Sequence, residues 1–370
     1  MSGGVDSSVA AALLKKEGHN VIGIFMKFWT PRIGVNSKVG LSKYENRCCS
    51  SDAEIRARKV AKILDIPFYV FNFQKEFKKK VVDYFLREYK SGRTPNPCVV
   101  CNKEIKFGLL LERALKMDAD YVATGHYVRK SKAKSQKSKI VYKLLRGKDK
   151  QKDQSYFLWQ LSQKQLRYIL FPIGSYTKAQ VRELAKEFKL PVFNTPESQE
   201  ICFVPGELKD FLRQYLKTKP GRILNIKNKG IDMGEHQGLP FYTIGQRRGM
   251  ELSGGPFYVV EKDFQKNNLI VANFFNDKAL YKKGLIAKNI NWILGKKPKF
   301  PLKVKAQLRY GHKPVSATVV KGLKKDFVEV IFTKAQRAIT PGQSVVFYRQ
   351  NELLAGGIIK TTIDKIKKMG

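Results

Sequence analysis

Apolar residues recur every three to four positions in several segments, and each such segment predicts an amphipathic helix. The first lies directly behind two glycines and places Val5, Val9 and Leu13 on one face. A second clear example has Phe77, Val81, Phe85 and Tyr89 in register. The same periodicity, strengthened in the last case by a capping-box pattern, predicts further helices at 51–64, 105–117 and 177–188.

Short apolar runs rich in β-branched and aromatic residues alternate with these helices and predict strands. They read NVIGIFMKF, IPFYVFNF, DYVAT and LPVFN. Alternation of strands and helices is typical of a parallel sheet with both faces covered. We therefore expect a doubly wound α/β domain over residues 1–205, with ligands at the carboxyl ends of its strands.

The pattern changes after residue 205. A short helix in GELKDFLRQYL and a hairpin signal in FYVVEKDFQKNNLIVAN predict a small mixed domain over 206–282. From 283 to 370 only strands are predicted, among them LKVKAQLRYG, VSATVVKG, DFVEVIF and SVVFYR, which favour a small closed antiparallel barrel. The lysine-rich stretch 129–139 is predicted to be the tip of a surface hairpin.

The charge of the chain indicates a polyanionic partner. Its 71 Lys and Arg residues exceed its 31 Asp and Glu residues by 40. Such an excess attracts nucleic acids and makes binding sensitive to salt. A solvated lysine-rich surface is the alternative explanation. Because the sequence has no 18-residue apolar run, no long basic amphipathic helix and no signal-peptide pattern, we expect a cytoplasmic protein without membrane contact.

Five cysteines do not form the framework of a secreted disulfide-rich domain. Cys48 and Cys49 are adjacent, Cys98 and Cys101 form a Cys-x-x-Cys pattern, and Cys202 stands alone. In a reducing compartment such residues are metal ligands, reactive thiols or inert buried side chains. The residues alone leave these alternatives open, although a structural role is favoured for the adjacent pair.

The first eight residues have the composition of a phosphate-binding loop. Gly3 and Gly4 allow a tight turn that brings backbone N–H groups against a ligand, and Ser2, Ser7 and Ser8 supply hydroxyl groups. The helix behind them directs its positive end at the same point. No Gly-Lys-Ser/Thr follows, so this is not a Walker A loop, and it is not a dinucleotide fingerprint either.

The string SGGVDS resembles the pyrophosphate loop of ATP pyrophosphatases, which adenylate their substrates. Seven further strings and the loop together resemble the tRNA uridine 2-sulfurtransferase, or 2-thiouridylase, family almost from end to end. In chain order the strings are TPNPCVVCNKEIKFG, ATGHYVR, KDQSYFL, SQEICFV, YTIGQRRG, RYG and TPGQ. The resemblance implies ATP-dependent 2-thiolation of the wobble uridine, position 34, in tRNAs for Glu, Gln and Lys.

The resemblance also implies roles for two cysteines. Cys202 would carry sulfur as a persulfide, and Cys101 would be the nucleophile that forms a transient Cys101–Cys202 disulfide or releases sulfide. Both roles require thiolates. Lys103 and a helix start near Glu104 are the expected sources of positive potential.

By the same resemblance, two further sets of residues are implied. The ATP-binding set is Ser2, Gly3, Gly4, Val5, Asp6, Ser7, Ser8, Met26 and Gly125, with Mg²⁺ on the phosphates. The tRNA-binding set is Asn96, Pro97, Cys98, His126, Lys152, Asp153, Gln154, Arg309, Tyr310 and Gln343. A sulfur-donor relay protein is the expected second partner, and the protein is expected to be a monomer.

Two departures from the family pattern change these expectations. Many relatives carry an aspartate at the position of Cys98, so Cys98, Cys101 and Cys202 could instead hold iron–sulfur or zinc. The pyrophosphate loop normally follows an apolar strand, which is absent before Met1. We therefore expect either a start further upstream or weak nucleotide binding. A small-molecule adenylating ligase and a metal-stapled RNA-binding protein are the alternatives from other classes.

The charge leads to a first testable prediction. If ~6 phosphates are neutralised on binding, log affinity for tRNA should fall with log salt concentration at a slope of about −4 to −5. A filter-binding titration with purified tRNA measures this slope. A slope near zero would show that the basic surface is not used for RNA.

Overall fold

The computed structural model describes residues 1–31, 46, 49–134, 138–196, 201–227 and 230–364. The first part of the chain is mainly helical. Its helices are α1 Val5–Lys16, α2 Ser51–Ile63, α3 Gln74–Phe77, α4 Asp83–Lys90, α5 Pro97–Cys101, α6 Leu110–Leu115, α7 Gln163–Leu166 and α8 Lys178–Glu187. None of the described helices is long and apolar enough to cross a membrane.

The helices accompany parallel strands, as predicted. Strand β1 Gly23–Lys27 pairs with β2 Phe68–Asn72, and β3 Val122–Ala123 pairs with β6 Ile169–Leu170, both in parallel. Within the described residues these are two separate two-stranded sheets.

The prediction of a strand at LPVFN is wrong. Val192 is fully buried among residues of α1 and α8, but its carbonyl accepts from the Thr195 amide at 3.0 Å in a turn. Pro191 has no N–H to give to a ladder, which disfavours a central strand at this point. The apolar residues of LPVFN therefore reflect burial under a turn.

Two of the helical runs contain π-helical segments. Lys78–Val82 joins α3 to α4, and Asn102–Leu109 joins α5 to α6. The four residues that predicted the first run have exposures of 0 to 4% and belong to the largest hydrophobic cluster. Since π-helical turns are frequent at functional sites, the π-helical segment after Cys101 marks this region as a candidate site.

The middle part of the chain folds as a four-stranded sheet with one helix. Helix α9 Leu208–Tyr215 comes first, and the sheet order is β8-β7-β10-β9. The predicted hairpin is confirmed, because the strands at 258–263 and 268–272 pair antiparallel. The strands are β7 Gly221–Asn225, β8 Asp232–His236, β9 Tyr258–Asp263 and β10 Asn268–Ala272.

The last part of the chain is the predicted closed barrel. Six antiparallel strands follow the order β11-β14-β13-β12-β15-β16, and β11 pairs with β16 to close the ring. Closure removes the unpaired edges that an open sheet would expose. The strands are β11 Tyr281–Trp292, β12 Leu302–Gln307, β13 Val315–Lys321, β14 Phe327–Arg337, β15 Ser344–Arg349 and β16 Glu352–Ile363.

A hairpin from the first domain extends the sheet of the barrel. Strands β4 Val128–Lys134 and β5 Ile140–Arg146 form the predicted lysine-rich hairpin, and residues 135–137 of its tip lie outside the described residues. Leu144 and Leu145 of β5 pair with Leu353 and Glu352 of β16. The two domains are therefore joined by backbone hydrogen bonds as well as by side chains.

Phe85 is expected to stabilise the junction between α4 and the middle domain. Its ring is fully buried and lies 5.2 Å from that of Phe203 and 6.2 Å from that of Phe211. Phe85→Ala should lower the free energy of unfolding by about 3–5 kcal/mol, because a large cavity is left in the core. Urea denaturation measures this, with Tyr69→Ala, at a 49% exposed position, as the control. Equal effects of the two substitutions would contradict the prediction.

Candidate functional site

The glycine loop lies against helix α2. Gly3 has a φ of 70°, and a Cβ added there would come within 2.3 Å of the Ala53 carbonyl oxygen. Arg56 donates from Nε to the Gly3 carbonyl at 3.1 Å. Gly4 caps α1 in an extended conformation. Only glycine fits at position 3, because the position needs both a left-handed backbone and the space of a missing side chain.

The three loop serines differ in their availability to a ligand. The Ser2 and Ser7 hydroxyls lie 3.2 Å apart, and the Ser7 hydroxyl also accepts from the Ser2 amide at 3.1 Å. Ser8 is fully buried and donates to the Gly4 carbonyl at 2.9 Å. Ser2 and Ser7 are thus placed at the accessible side of the loop, whereas Ser8 braces the first turn of α1.

Asp6 connects the loop to helix α8. Its carboxylate accepts from Lys178 Nζ at 2.7 and 2.9 Å and from the Tyr127 hydroxyl at 2.7 Å. Lys178 follows the N-cap Thr177, whose capping box is confirmed. Sequence reasoning missed Lys178 as a site residue, although the capping box placed it at the first helical position. A lysine beside a glycine loop supplies a cation for bound phosphates.

Gly125 brings the end of β3 against the same loop. A Cβ at Gly125 would lie 2.6 Å from the Asp6 carbonyl carbon and 2.7 Å from the Ser7 amide nitrogen. The loop thus adjoins the carboxyl end of β3, where ligands of parallel sheets bind. Met26 lies in β1, half-buried against the largest hydrophobic cluster.

Helix α5 carries two of the candidate cysteines. The Asn96 side chain caps it by accepting from the Val99 amide at 3.4 Å. Cys98 is exposed, and Cys101 is half-buried at the end of the helix. The expected helix start near Glu104 is wrong, since Glu104 lies inside the π-helical segment. Burial acts to raise the pKa of the Glu104 carboxyl, but the combined pairing with Lys80 at 2.9 Å and Lys103 at 3.6 Å outweighs it and lowers the pKa.

Cys101 and Cys202 pack against the same hydrophobic cluster. Both side chains are half-buried, and the cluster includes Phe203, the neighbour of Cys202. Within the described part of the chain, no group of three or more Cys, His, Asp or Glu residues is arranged to hold a metal. The set Cys98, Cys101 and Cys202 therefore does not fit a metal centre in this structure.

Cys49 is not part of the Cys-x-x-Cys pattern, and it packs against the same hydrophobic cluster as Cys101 and Cys202. Its sulfur accepts from the Phe28 amide at 3.2 Å, and the side chain is half-buried against the core. This packing fits the structural role predicted for the adjacent pair. Cys48 lies outside the described residues.

The barrel residues of the candidate tRNA set make contacts within the chain. Arg309 donates to the Ala338 carbonyl and the Thr340 hydroxyl, both at 2.6 Å, and burial is the main cause of its lowered pKa. Gln343 donates to two carbonyls of the 94–95 segment. Tyr310 is 42% exposed, and its ring centroid lies 4.4 Å from that of Phe157. Tyr310 is the aromatic residue of these three, and part of its ring is accessible to solvent.

The 152–154 segment closes the base of the β4–β5 hairpin. Asp153 is 6% exposed and accepts from Arg146 Nε at 2.6 Å, the Gly147 amide at 3.0 Å and the Ser155 amide at 3.1 Å. Gln154 accepts from the Tyr127 amide at 3.1 Å, and the Lys152 amide donates to Asp149 at 3.2 Å. The Asp153 side chain therefore serves the fold, and tRNA contacts by this segment stay a prediction.

His126 is buried between aromatic rings. It is 8% exposed, with Phe107 and Phe171 at centroid distances of 5.8 and 6.2 Å. Its Nδ1 is hydrogen-bonded to the Thr124 hydroxyl at 2.7 Å. Burial, with a smaller contribution from Lys106, lowers the pKa of His126 well below its ordinary value. The ring is therefore neutral in the folded protein at neutral pH.

This shift predicts a pH dependence of stability. Below about pH 6.5 the unfolded chain protonates its histidine while the buried ring does not, so stability falls as the pH falls. The His126→Gln variant should lose less stability than the wild type between about pH 7 and pH 5.5, measured by thermal unfolding. A ring resonance of His126 that titrates at its ordinary pKa in NMR spectra would contradict this explanation.

Comparisons with known proteins cover nearly the whole chain. Residues 1–206, 209–273 and 282–359 match family models described as a tRNA methyl transferase HUP domain, a tRNA methyl transferase PRC-barrel domain and an aminomethyltransferase beta-barrel domain. A Carboxydothermus hydrogenoformans protein described as tRNA-specific 2-thiouridylase MnmA is 47% identical over 371 residues, which are 97% of this chain and 96% of that protein. A Geobacillus thermodenitrificans protein of the same description is 45% identical over 374 residues, 100% of this chain and 95% of that one. The chain therefore belongs to the tRNA-specific 2-thiouridylase family.

Proposed function

We propose that this protein uses ATP to replace the C2 oxygen of the wobble uridine, position 34, by sulfur in tRNAs for Glu, Gln and Lys. The observation that carries the proposal is the 43–48% identity to relatives described as 2-thiouridylases over nearly their whole length. The glycine loop, the basic surface and two cysteines on one hydrophobic cluster support it. The protein would act in the cytoplasm as a monomer.

The first step would activate the base. A uridine carbonyl oxygen is a poor leaving group, so the enzyme would transfer AMP from ATP to O2 and release pyrophosphate. Backbone amides at Gly3 and Gly4, the Ser2 and Ser7 hydroxyls and the Lys178 ammonium would bind the phosphates. Mg²⁺, when bound, neutralises phosphate charge.

The second step would transfer sulfur. The terminal sulfur of a Cys202 persulfide would attack C2 and displace AMP, and the Cys101 thiolate would then attack the inner sulfur and free the thiolated base. Alternatively, Cys101 would attack first and release sulfide, which would displace AMP itself. Either order leaves a Cys101–Cys202 disulfide, which a cellular thiol reductant must reduce by two electrons. A sulfur relay protein would reload Cys202.

The target base would have to leave its stack to reach this site. The segment formed by Asn96, Pro97 and Cys98 would lie beside the flipped uridine, because it leads into the helix that carries Cys101. Tyr310, Arg309, Gln343, His126 and residues 152–154 complete the proposed tRNA set. The exposed ring of Tyr310 suits stacking on an unpaired anticodon base.

An iron–sulfur enzyme is the second candidate, and the exposed Cys98 favours it. Cys98 and Cys101 lie three residues apart on one helix, a spacing also used by cluster ligands. The geometry does not gather Cys202 with them into a ligand set, so we derive no step through a cluster. A small-molecule adenylating ligase would have no use for the paired thiols.

Cysteine substitutions test the proposed chemistry. With tRNA, ATP, Mg²⁺ and a persulfide donor, Cys101→Ser and Cys202→Ser should each lower the rate of 2-thiouridine formation by about a thousandfold or more, because each removes a reacting thiol. Mass spectrometry of nucleosides measures the product. Cys49→Ser, at a half-buried cysteine that packs near Phe28, is the matched control and should change the rate little.

Cys98→Asp separates the two sulfur-transfer routes. If sulfur passes through the persulfide, the variant should retain most of the wild-type rate. If sulfur passes through a cluster, which requires Cys98, the variant should lose all activity together with bound iron. Iron and zinc analysis of anaerobically purified protein is the second readout. Thiolation that persists undiminished in both Cys101→Ser and Cys202→Ser would refute the proposed relay.

A further inference from the structure

A loop of the barrel holds the segment that leads into the cysteine helix. Gln343 Nε2 donates to the Thr94 carbonyl at 3.0 Å and to the Pro95 carbonyl at 3.1 Å. The Thr94 amide donates to the Pro341 carbonyl at 2.9 Å. A Cβ at Gly342 would lie 2.9 Å from the Thr94 nitrogen and oxygen. The two backbones therefore approach as closely as their atoms allow.

The anchored segment directly precedes helix α5. Thr94 and Pro95 come before Asn96, which caps the helix, and Cys101 ends it. The position of the two carbonyls thus fixes the residue that starts the helix. Helix α5 continues without a break into the π-helical segment Asn102–Leu109. Cys101 thus lies five residues after the cap on one helical run, so a shift of the cap displaces the Cys101 thiol with it.

The residue after Cys101 is held by a segment that contacts the same barrel strand. Asn102 donates to the Phe157 carbonyl at 3.5 Å. The neighbouring Tyr156 hydroxyl donates to the Ser344 carbonyl at 2.9 Å, and Trp159 donates to the Ser344 hydroxyl at 3.0 Å. Ser344 follows Gln343 in the chain, so the barrel supports the helical run directly before its cap and, through residues 156–159, directly after Cys101.

The loop itself is firmly attached to the barrel. The Gly342 amide donates to the Ile359 carbonyl at 2.9 Å, and the Ile359 amide donates to the Gln343 carbonyl at 2.8 Å. Ile359 belongs to β16, a strand of the closed ring. The middle domain adds a hydrogen bond of 3.1 Å between the Thr94 and Thr243 hydroxyls. The barrel therefore holds the backbone of Gln343 rigidly.

We propose that Gln343 is a positioning residue: its amide group fixes the start of helix α5 and thereby the place of the Cys101 thiol. This inference rests on the proposed function for its catalytic meaning. An NH₂ group has two hydrogens, and two carbonyls accept them here. The donors of Gln343 are thus used within the chain before tRNA arrives, and the barrel both binds tRNA and sets the geometry of the nucleophile.

Gln343→Met tests the proposal, because methionine has nearly the shape of glutamine and no donor. Hydrogen exchange by mass spectrometry, without tRNA, should show the peptide 94–103 exchanging at least about fivefold faster, which corresponds to the loss of one ordinary hydrogen bond. Gln343→Glu should increase exchange further, since its carboxylate faces two carbonyl oxygens. In the thiolation assay both variants should lower kcat, and Gln343→Met should lower kcat by a larger factor than it changes KM for tRNA, because the group it displaces is the Cys101 thiol.

Gln336→Met is the matched control. Gln336 lies on β14, is half-buried and donates to the Lys334 carbonyl, so its replacement should leave exchange of 94–103 unchanged. Exchange of peptides from β13 and β15 shows whether each variant is folded. Unchanged exchange of 94–103 in both Gln343 variants overturns the proposal, whichever way kcat and KM move. The exchange result does not depend on whether tRNA is thiolated, so failure of the proposed function would be recognised separately.

Discussion

The backbone ladder between β5 and β16 is the constraint on which the arrangement of the domains depends. Leu144 and Leu145 pair with Leu353 and Glu352, and the Arg146 amide donates to the Asn351 carbonyl at 2.8 Å. Paired strands cannot slip by one residue without exchanging their buried and exposed faces. Leu144 and Leu353 are 0 and 1% exposed, so a slip would bring apolar side chains into water. The barrel is thereby fixed in register relative to the first domain.

The location of the candidate site follows from this register. With the barrel in place, Ser344 meets Tyr156 and Trp159, and Gln343 reaches the carbonyls that precede the cysteine helix. Asp153 also supports this arrangement, because its carboxylate accepts a hydrogen bond from Arg146 at the end of β5. Removing a buried acceptor with several donors leaves each donor unsatisfied. Buried polar groups of the fold thus position the segment near Cys101.

The sequence predicted most of the fold because local patterns determine local structure. Phe77, Val81, Phe85 and Tyr89 indicated a helix by their period, and the capping box at Thr177 indicated where another begins. The attachment of the hairpin to β16 had no such signal, since a strand's sequence does not specify the partner at its outer edge. LPVFN misled because apolar residues in a buried turn resemble a short strand.

Motifs in the sequence indicate the residue types of the candidate site but not the contacts between them. Serines and cysteines carry their chemistry in their side chains, and Gly3 is required for its backbone conformation and its missing side chain. Lys178 escaped notice because it lies 172 positions from Asp6 in the chain, and only folding joins the two. The family resemblance implies contact of Gln343 with tRNA, and only the fold shows that its donors are directed at Thr94 and Pro95. The contacts of such polar side chains depend on which groups face each other once the chain has folded.

The proposed sulfur relay would impose opposite demands on its two cysteines, and the surroundings of the two residues differ. Cys101 lies near the start of a capped helical run that continues through Asn102–Leu109, so regular backbone holds it in place. Cys202 lies in a turn outside any helix or strand, half-buried against the same hydrophobic cluster. A nucleophile gains rate from a fixed orientation, whereas a sulfur carrier must meet a donor and then the base. In the proposed relay, a fixed thiol on the helix and a carrier on irregular backbone would satisfy both demands around one core.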